Sequence, residues 1–250
     1  MITWPGTAAV RAGNAIAMAA TYEQYVTGVF SALKRGDLAA FGGAPLPVVM
    51  SGVRVAEISP VTAASLDDPA HVEYLARWRQ ENQRWYPERF EITVEGTTRW
   101  LRNAVLQAPD RLLAWLQTPA GEYVGHLGLF RCNFAERHCE IDSILRGRAD
   151  LLPGAMTPAV QTLMDWAFTA LDLHELRLKV MTDNPRAIRL YERTGFTPTG
   201  VIPLYKKTLP DGTLRWVEER QTPGQDSDRS YTVMRCPRLA RLGGLRQPPK

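Results

Sequence analysis

The chain has 250 residues, 45% of them hydrophobic and 22% charged, the balance of a globular protein able to bury a sizeable core in one large domain. Thirty basic against 26 acidic residues leave a net charge of +4. There is no like-charge run of roughly five or more to mark a nucleic-acid arm, and no apolar run near the roughly 20 residues of a spanning helix. The expectation is a cytoplasmic protein without nucleic-acid or membrane partners, whose basic balance suits a polyanionic small ligand.

Residues 1–20 are Ala/Gly-rich and nearly uncharged. Tyr22, Tyr25, Val26, Val29, Phe30 and Leu33 then recur at helical spacing, and Gly36 can close that helix in the left-handed region. Residues 42–47 read as a linker. We therefore treat 1–50 as an N-terminal helical extension and linker, 51–238 as the main domain, and 239–250 as a flexible tail.

Within the main domain, Val53, Val55 and Ile58 suggest a strand. Residues 71–84 suggest a helix carrying Leu75 and Trp78, and residues 95–106 a second with Trp100, Leu101 and Val105. Residues 111–117, 123–130 and 138–145 follow as an antiparallel meander, with turns at 118–121 and 133–137. Val160, Leu163, Met164, Ala167, Phe168 and Leu171 form a strong helical stripe. Leu176, Leu178 and Val180 alternate with Arg177 and Lys179, the period of a half-buried strand. Asn184 can cap a short helix with Pro185 at its first position and Gly195 beyond its end. Residues 204–230 read as a long loop, and 231–234 as a closing strand. The order predicts an α/β (α+β) fold, one mixed and mostly antiparallel sheet with helices on both faces.

Cys132, Cys139 and Cys236 show no metal-ligand spacing, so no metal site is expected. The first two could meet across a hairpin, but reduced core thiols are the reading adopted.

Two segments carry chemistry. One runs from Ile144, Leu145, Arg146 and Gly147 through Leu152, Pro153, Gly154, Ala155, Met156 and Thr157: a strand end, a Gly/Pro loop and a helix start. Free amides at a helix N-terminus bind phosphate, and Arg146 and Arg148 would add mobile positive charge. The other holds Asn184, Ala187, Tyr191, Gly195 and Phe196 in register.

That order closely resembles the GNAT acetyltransferases over about residues 53–236, most strongly over 140–200. The loop departs from the family pattern: Leu151 stands at the Gln/Arg position, and Met156 replaces the last small residue. The resemblance implies acetyl-CoA (CoA) as cofactor and two central strands, 138–145 and 175–180, splayed to admit it. Its pantetheine arm would lie along Ile144 and Leu145, and its pyrophosphate on the loop Leu152, Gly154, Ala155, Met156 and Thr157. Asn184 and Ala187 would hold it, and the Tyr191 hydroxyl would face the thioester sulfur.

A tyrosine can protonate a leaving thiolate. His138, Glu140 and Asp142 share one strand face, which makes Glu140 the first candidate base and Asp142 the second. Trp78, Trp85 and Tyr86 are candidate walls for the acceptor. The implied reaction moves an acetyl or short acyl group directly to a primary amine, with an amino sugar, free or nucleotide-linked, as first acceptor. A protein N-terminal acetyltransferase of the ribosomal-protein type and a non-catalytic acyl-CoA-binding or interaction module are the alternatives. Oligomeric state, including a homodimer, stays open.

Overall fold

A computed structural model describes residues 21–244; residues 1–20 and 245–250 lie outside the described part. Helix α1 occupies residues 21–34. Strands β1 (Leu46–Met50) and β2 (Val53–Pro60) follow, then α2 (Pro69–Glu81), β3 (Glu88–Arg89) and α3 (Val94–Trp100), which continues as a π-helical turn over Leu101–Leu106. Next come β4 (Leu112–Gln117), β5 (Tyr123–Asn133), β6 (His138–Arg146), α4 (Met156–Ala170), β7 (Glu175–Met181) and α5 (Pro185–Arg193). Strands β8 (Thr197–Thr208), β9 (Leu214–Val217) and β10 (Arg229–Pro237) and helix α6 (Arg238–Gly244) complete the fold.

The strands form one sheet in the order β1-β2-β4-β5-β6-β7-β10-β8-β9-β3. Every neighbouring pair is antiparallel except β6 and β7. This is the mixed, mostly antiparallel sheet expected from the order of elements.

The apolar stripe of α4 is buried against the sheet, with Val160, Leu163, Met164, Ala167 and Phe168 all at zero exposure. Helix α1 packs into the same core through Tyr22, Val26, Phe30 and Leu33. Its attachment is also polar: Tyr22 Oη donates to the Leu171 carbonyl at 2.6 Å, and Lys34 Nζ donates to the Ala108 carbonyl at 2.5 Å. Burial pulls the Lys34 ammonium down to about 8. A second core on the other face gathers Leu75, Trp78, Leu101, Val105, Leu113 and Trp115.

Several expectations are corrected. The linker at 42–47 ends inside edge strand β1, where Leu46 and Val48 face inward and Pro47 outward, a place where a proline removes no needed ladder bond. Much of the 204–230 loop is the β8–β9 hairpin, turned at Asp211–Gly212. Residues 239–244 of the expected tail lie in α6, which starts at Arg238 and whose Arg241 pairs with Asp165 at 2.9 Å. Cys132 and Cys139 are disulfide-bonded across the β5–β6 hairpin, while Cys236 is a free buried thiol. The pair sits on adjacent strands, with Cα atoms 4.1 Å apart, close enough to join without moving the backbone.

Candidate active site

Strands β6 and β7 are parallel neighbours only at His138–Glu175, Cys139–Leu176 and Glu140–Arg177. Beyond those positions the two strands separate: β6 runs on to Arg146, β7 to Met181, and neither pairs with the other. A cleft of about 490 Å³ opens along the parted edges. Unpaired strand edges carry main-chain N–H and C=O groups that need partners, and an extended polar chain lying between them can supply those bonds.

A bulge shapes the β6 wall. On β5, His126 and Gly128 are two apart, while their partners Leu145 and Asp142 are three apart on β6. The additional residue is accommodated with Ser143 at φ +54°. His126, fully buried behind the strand, lies with Nδ1 2.6 Å from the Ser143 carbonyl. A carbonyl only accepts, so Nδ1 carries the hydrogen. Burial pushes this imidazole down to about 4, keeping it neutral. His126 thus holds the bulge from the rear. The sequence signal was a lone histidine in an otherwise apolar strand, and it was passed over.

Asp142, next along β6, accepts from Arg111 Nη2 at 2.5 Å and from Ser143 Oγ at 3.0 Å. Arg111 is itself nearly buried and lies 4.4 Å from the centre of the Phe130 ring. Glu140 accepts from Arg131 at 2.9 Å, where Arg131 is 60% exposed and Glu140 22%. The two carboxylates differ in how firmly their cations are held.

The loop from β6 to α4 departs from its expected electrostatics. Arg146 does not present a mobile charge: its guanidinium donates to the carbonyls of Arg148, Ala149 and Leu151 at 2.6–3.2 Å. Arg148 is neutralised by Asp150 at 2.6 Å, and that pairing holds the Asp150 carboxyl down at about 2. The arginine inside the loop therefore fixes its backbone. Gly154 takes φ +87°, the left-handed region that favours glycine, and a Cβ added there would meet only the Met50 methyl, at 3.5 Å, so the turn rather than lack of space calls for glycine.

On the β7 side, α5 begins as its sequence dictates. Asn184 Oδ1 accepts from the Ala187 N–H at 3.2 Å, and Pro185 occupies the first turn. Capping uses the Asn184 oxygen and leaves its NH₂ as donor. Tyr191, two turns on, packs edge-on to Phe196 with ring centres 6.0 Å apart and lines the cleft. Burial, with Asp142 adding to it, raises the phenol well above its ordinary value, so it is a protonated donor throughout the working pH range.

Of the expected residues, Tyr191, Glu140, Asp142, Ile144, Leu145, Arg146, Gly154, Met156, Thr157, Asn184, Ala187, Trp85 and Tyr86 all line this one cleft. Three do not. Leu152 packs against the main core, Ala155 is buried at the start of α4, and Trp78 has no exposed surface. Trp78 belongs to the second core, beneath Gly147. Its helical spacing with Leu75 was the mark of packing. Arg186 and Arg193, on the α5 side of the cleft, went unmarked in the sequence and form no ion pair among the described residues. Their seven-residue spacing, two helical turns, was the available signal.

These features fit a long phosphorylated thioester carrier: parted strand edges for an amide-bearing arm, a cleft-lining loop at a helix start, and unpaired arginines for phosphate.

A family model described as an acetyltransferase (GNAT) domain matches residues 60–197, more than half of the chain. The spermidine N(1)-acetyltransferase of Escherichia coli (strain K12) is 28% identical over 156 residues, covering 56% of this chain and 78% of the relative. Its counterpart from Vibrio cholerae serotype O1 is 32% identical over 116 residues, covering 46% and 65%. A crystal structure of the Vibrio cholerae spermidine N-acetyltransferase in complex with CoA and spermine superposes with a TM-score of 0.56 at 15% identity, covering 75% of this chain and 98% of that one. At such identity the superposition speaks to the fold, while the family match speaks to the chemistry. The chain belongs to the GNAT acetyltransferases and is an acetyl-CoA-dependent N-acetyltransferase.

Proposed function

We propose that this enzyme acetylates a small primary amine by direct transfer, with the amine and the cofactor held together in the cleft between β6 and β7. The observation that carries this reading is the parting of those strands after three paired positions, into the cleft that Tyr191 lines. Acetyl-CoA, when bound, supplies the acetyl group as an activated thioester. The residues that would hold it are Ile144 and Leu145 along the arm, and Gly154, Met156 and Thr157 at the loop. Asn184, Ala187, Arg186 and Arg193 would do so on α5.

An amine attacks only as the free base, so a group beside it must take its proton. Glu140 suits that role better than Asp142. The Asp142 carboxylate is locked to a nearly buried arginine, whereas the Glu140 partner is exposed and can move aside. Main-chain amides released by the Ser143 bulge would stabilise negative charge developing on the carbonyl oxygen. Tyr191 Oη would return a proton to the leaving sulfur.

Trp85 and Tyr86 wall the acceptor end, where an amino sugar, free or nucleotide-linked, would lie against them. The relatives named for spermidine make that polyamine the second acceptor to try. A polyphosphorylated cofactor does not cross a bilayer unaided, which supports a cytoplasmic site of action.

Titration with acetyl-CoA should raise the melting temperature, and free thiol should appear when an accepted amine is added. Absence of a thermal shift at millimolar acetyl-CoA would reject the cleft as the cofactor site.

A further inference from the structure

The charges lining the cleft do not favour a polycation, although the relatives are named for a polyamine. Three carboxylates line the cleft on the strands and the β9 end: Glu140, Asp142 and Glu218. Each already has a cation of the protein itself. Glu140 pairs with Arg131 at 2.9 Å, Asp142 with Arg111 at 2.5 Å, and Glu218 with Lys179 at 2.5 Å. Arg131 and Lys179 line the cleft themselves. The Trp85 ring, which could stack against a substrate cation, is already covered by the Arg84 guanidinium 4.1 Å from its centre.

A polycation entering here would find no unpaired carboxylate among these three and would meet Arg131 and Lys179 as like charges. An amine that also carries an anion meets a different surface. Its anionic group can take over the Arg131 guanidinium, the more exposed partner of its pair at 60%. Glu140 is then released toward the ammonium end. Exchanging one ion pair for two leaves no charge unmatched, the arrangement that avoids the cost of desolvating a lone ion. It also frees the carboxylate proposed as base only when a substrate of this kind is present.

Resting on the acetyltransferase reading of this cleft, we propose that the acceptor is a primary amine bearing a carboxylate or phosphate, recognised by Arg131, and that polyamines are poor substrates. The transfer itself is balanced as an acetylation: the amine nitrogen forms a bond to the acetyl carbon, the carbon–sulfur bond breaks, the amine proton leaves to Glu140, and Tyr191 Oη protonates the departing sulfur to CoA thiol and regains its proton from Glu140 through solvent.

The test uses the full chain and matched amines differing in the charge at the far end. Glucosamine 6-phosphate is compared with glucosamine, 5-aminopentanoate with 1,5-diaminopentane, and spermidine is run beside them, with thiol release as readout. The expected result is a kcat/KM at least tenfold higher for the anionic member of one pair or both, and spermidine turned over no faster than the uncharged or dicationic partners. Phosphate preferred over carboxylate, or the reverse, identifies which anion is read. R131E should lower kcat/KM for the anionic amine by tenfold or more and raise it for the diamine, while the melting shift given by CoA stays as in the unmodified protein; R131Q should give the loss without the gain.

The proposal is overturned if neither anionic member exceeds its partner, if spermidine is preferred, or if R131E and R131Q leave the ranking of the amines unchanged. Failure of acetyl-CoA to shift the melting temperature of the unmodified protein is a different result, which removes the acetyltransferase reading beneath it.

Discussion

Tyr191 is the residue proposed to protonate the leaving sulfur, and its surroundings define its limits. A phenol whose ionisation is raised by burial keeps its proton well above neutral pH. It can serve as acid but not as base, and its own ionisation should leave no alkaline fall in rate below about pH 10. Tyr191→Phe keeps the ring that packs on Phe196 and removes only the hydroxyl. The expected outcome is a kcat lower by roughly 10²-fold with an unchanged acetyl-CoA melting shift. Equal turnover would assign the proton to water instead. Asn184 and Gly195 were legible in the sequence because each answers a local demand, a cap and a left-handed stop, whereas Ala187, Tyr191 and Phe196 stood out through the resemblance to the GNAT pattern. Arg111 was not legible, because it acts on Asp142 from 31 residues away and nothing local marks it; the lone histidine in its apolar strand marked His126 as odd, but not the β6 carbonyl that it holds.

At the scale of elements, the cleft depends on how closely the second core supports the end of β6. Gly147 follows that strand, and a Cβ added there would lie within 2.0 Å of the Trp78 ring atoms. Trp78 is fully buried between Tyr74, Trp115 and His126 and has no room to retreat. Gly147→Ala should therefore overpack the site by about 1–3 kcal/mol. That predicts a melting temperature lower by several degrees. The KM for acetyl-CoA should rise too, because the displaced backbone leads directly into the Arg146-pinned loop. A variant with unaltered stability and KM would show that the loop is set by α4 rather than by the tryptophan below. Helices and β7 were readable from periodicity since their faces are divided between core and surface, while β4 and β5, buried on both faces, were readable as apolar runs between turn signals. The β8–β9 hairpin was not. The first five residues of β8, Thr197–Val201, are exposed and include a proline and a glycine, so neither alternation nor an apolar run announces it, and only pairing with β10 makes it a strand.

The whole molecule binds its first helix more tightly than composition suggested. An amphipathic helix ahead of a linker can be an appendage or part of the core, and periodicity alone does not distinguish the two. Here Val26, Phe30 and Leu33 have no exposed surface, and β1 pairs along β2 and places Leu46 and Val48 in the same core. Phe30→Ala alone should cost about 3–5 kcal/mol, a large share of the roughly 5–15 kcal/mol that typically separates folded from unfolded states. Removing all of residues 1–50 strips several such side chains together and exposes the edge of β2. The truncated chain should then show no cooperative melt and no response to acetyl-CoA, while Phe30→Ala should still fold, melt roughly 6–20 °C lower and retain its kcat. A truncated chain that melts cooperatively near the full-length temperature would make α1 and β1 an appendage, and the support for the cleft would then have to come from α4 and the second core alone.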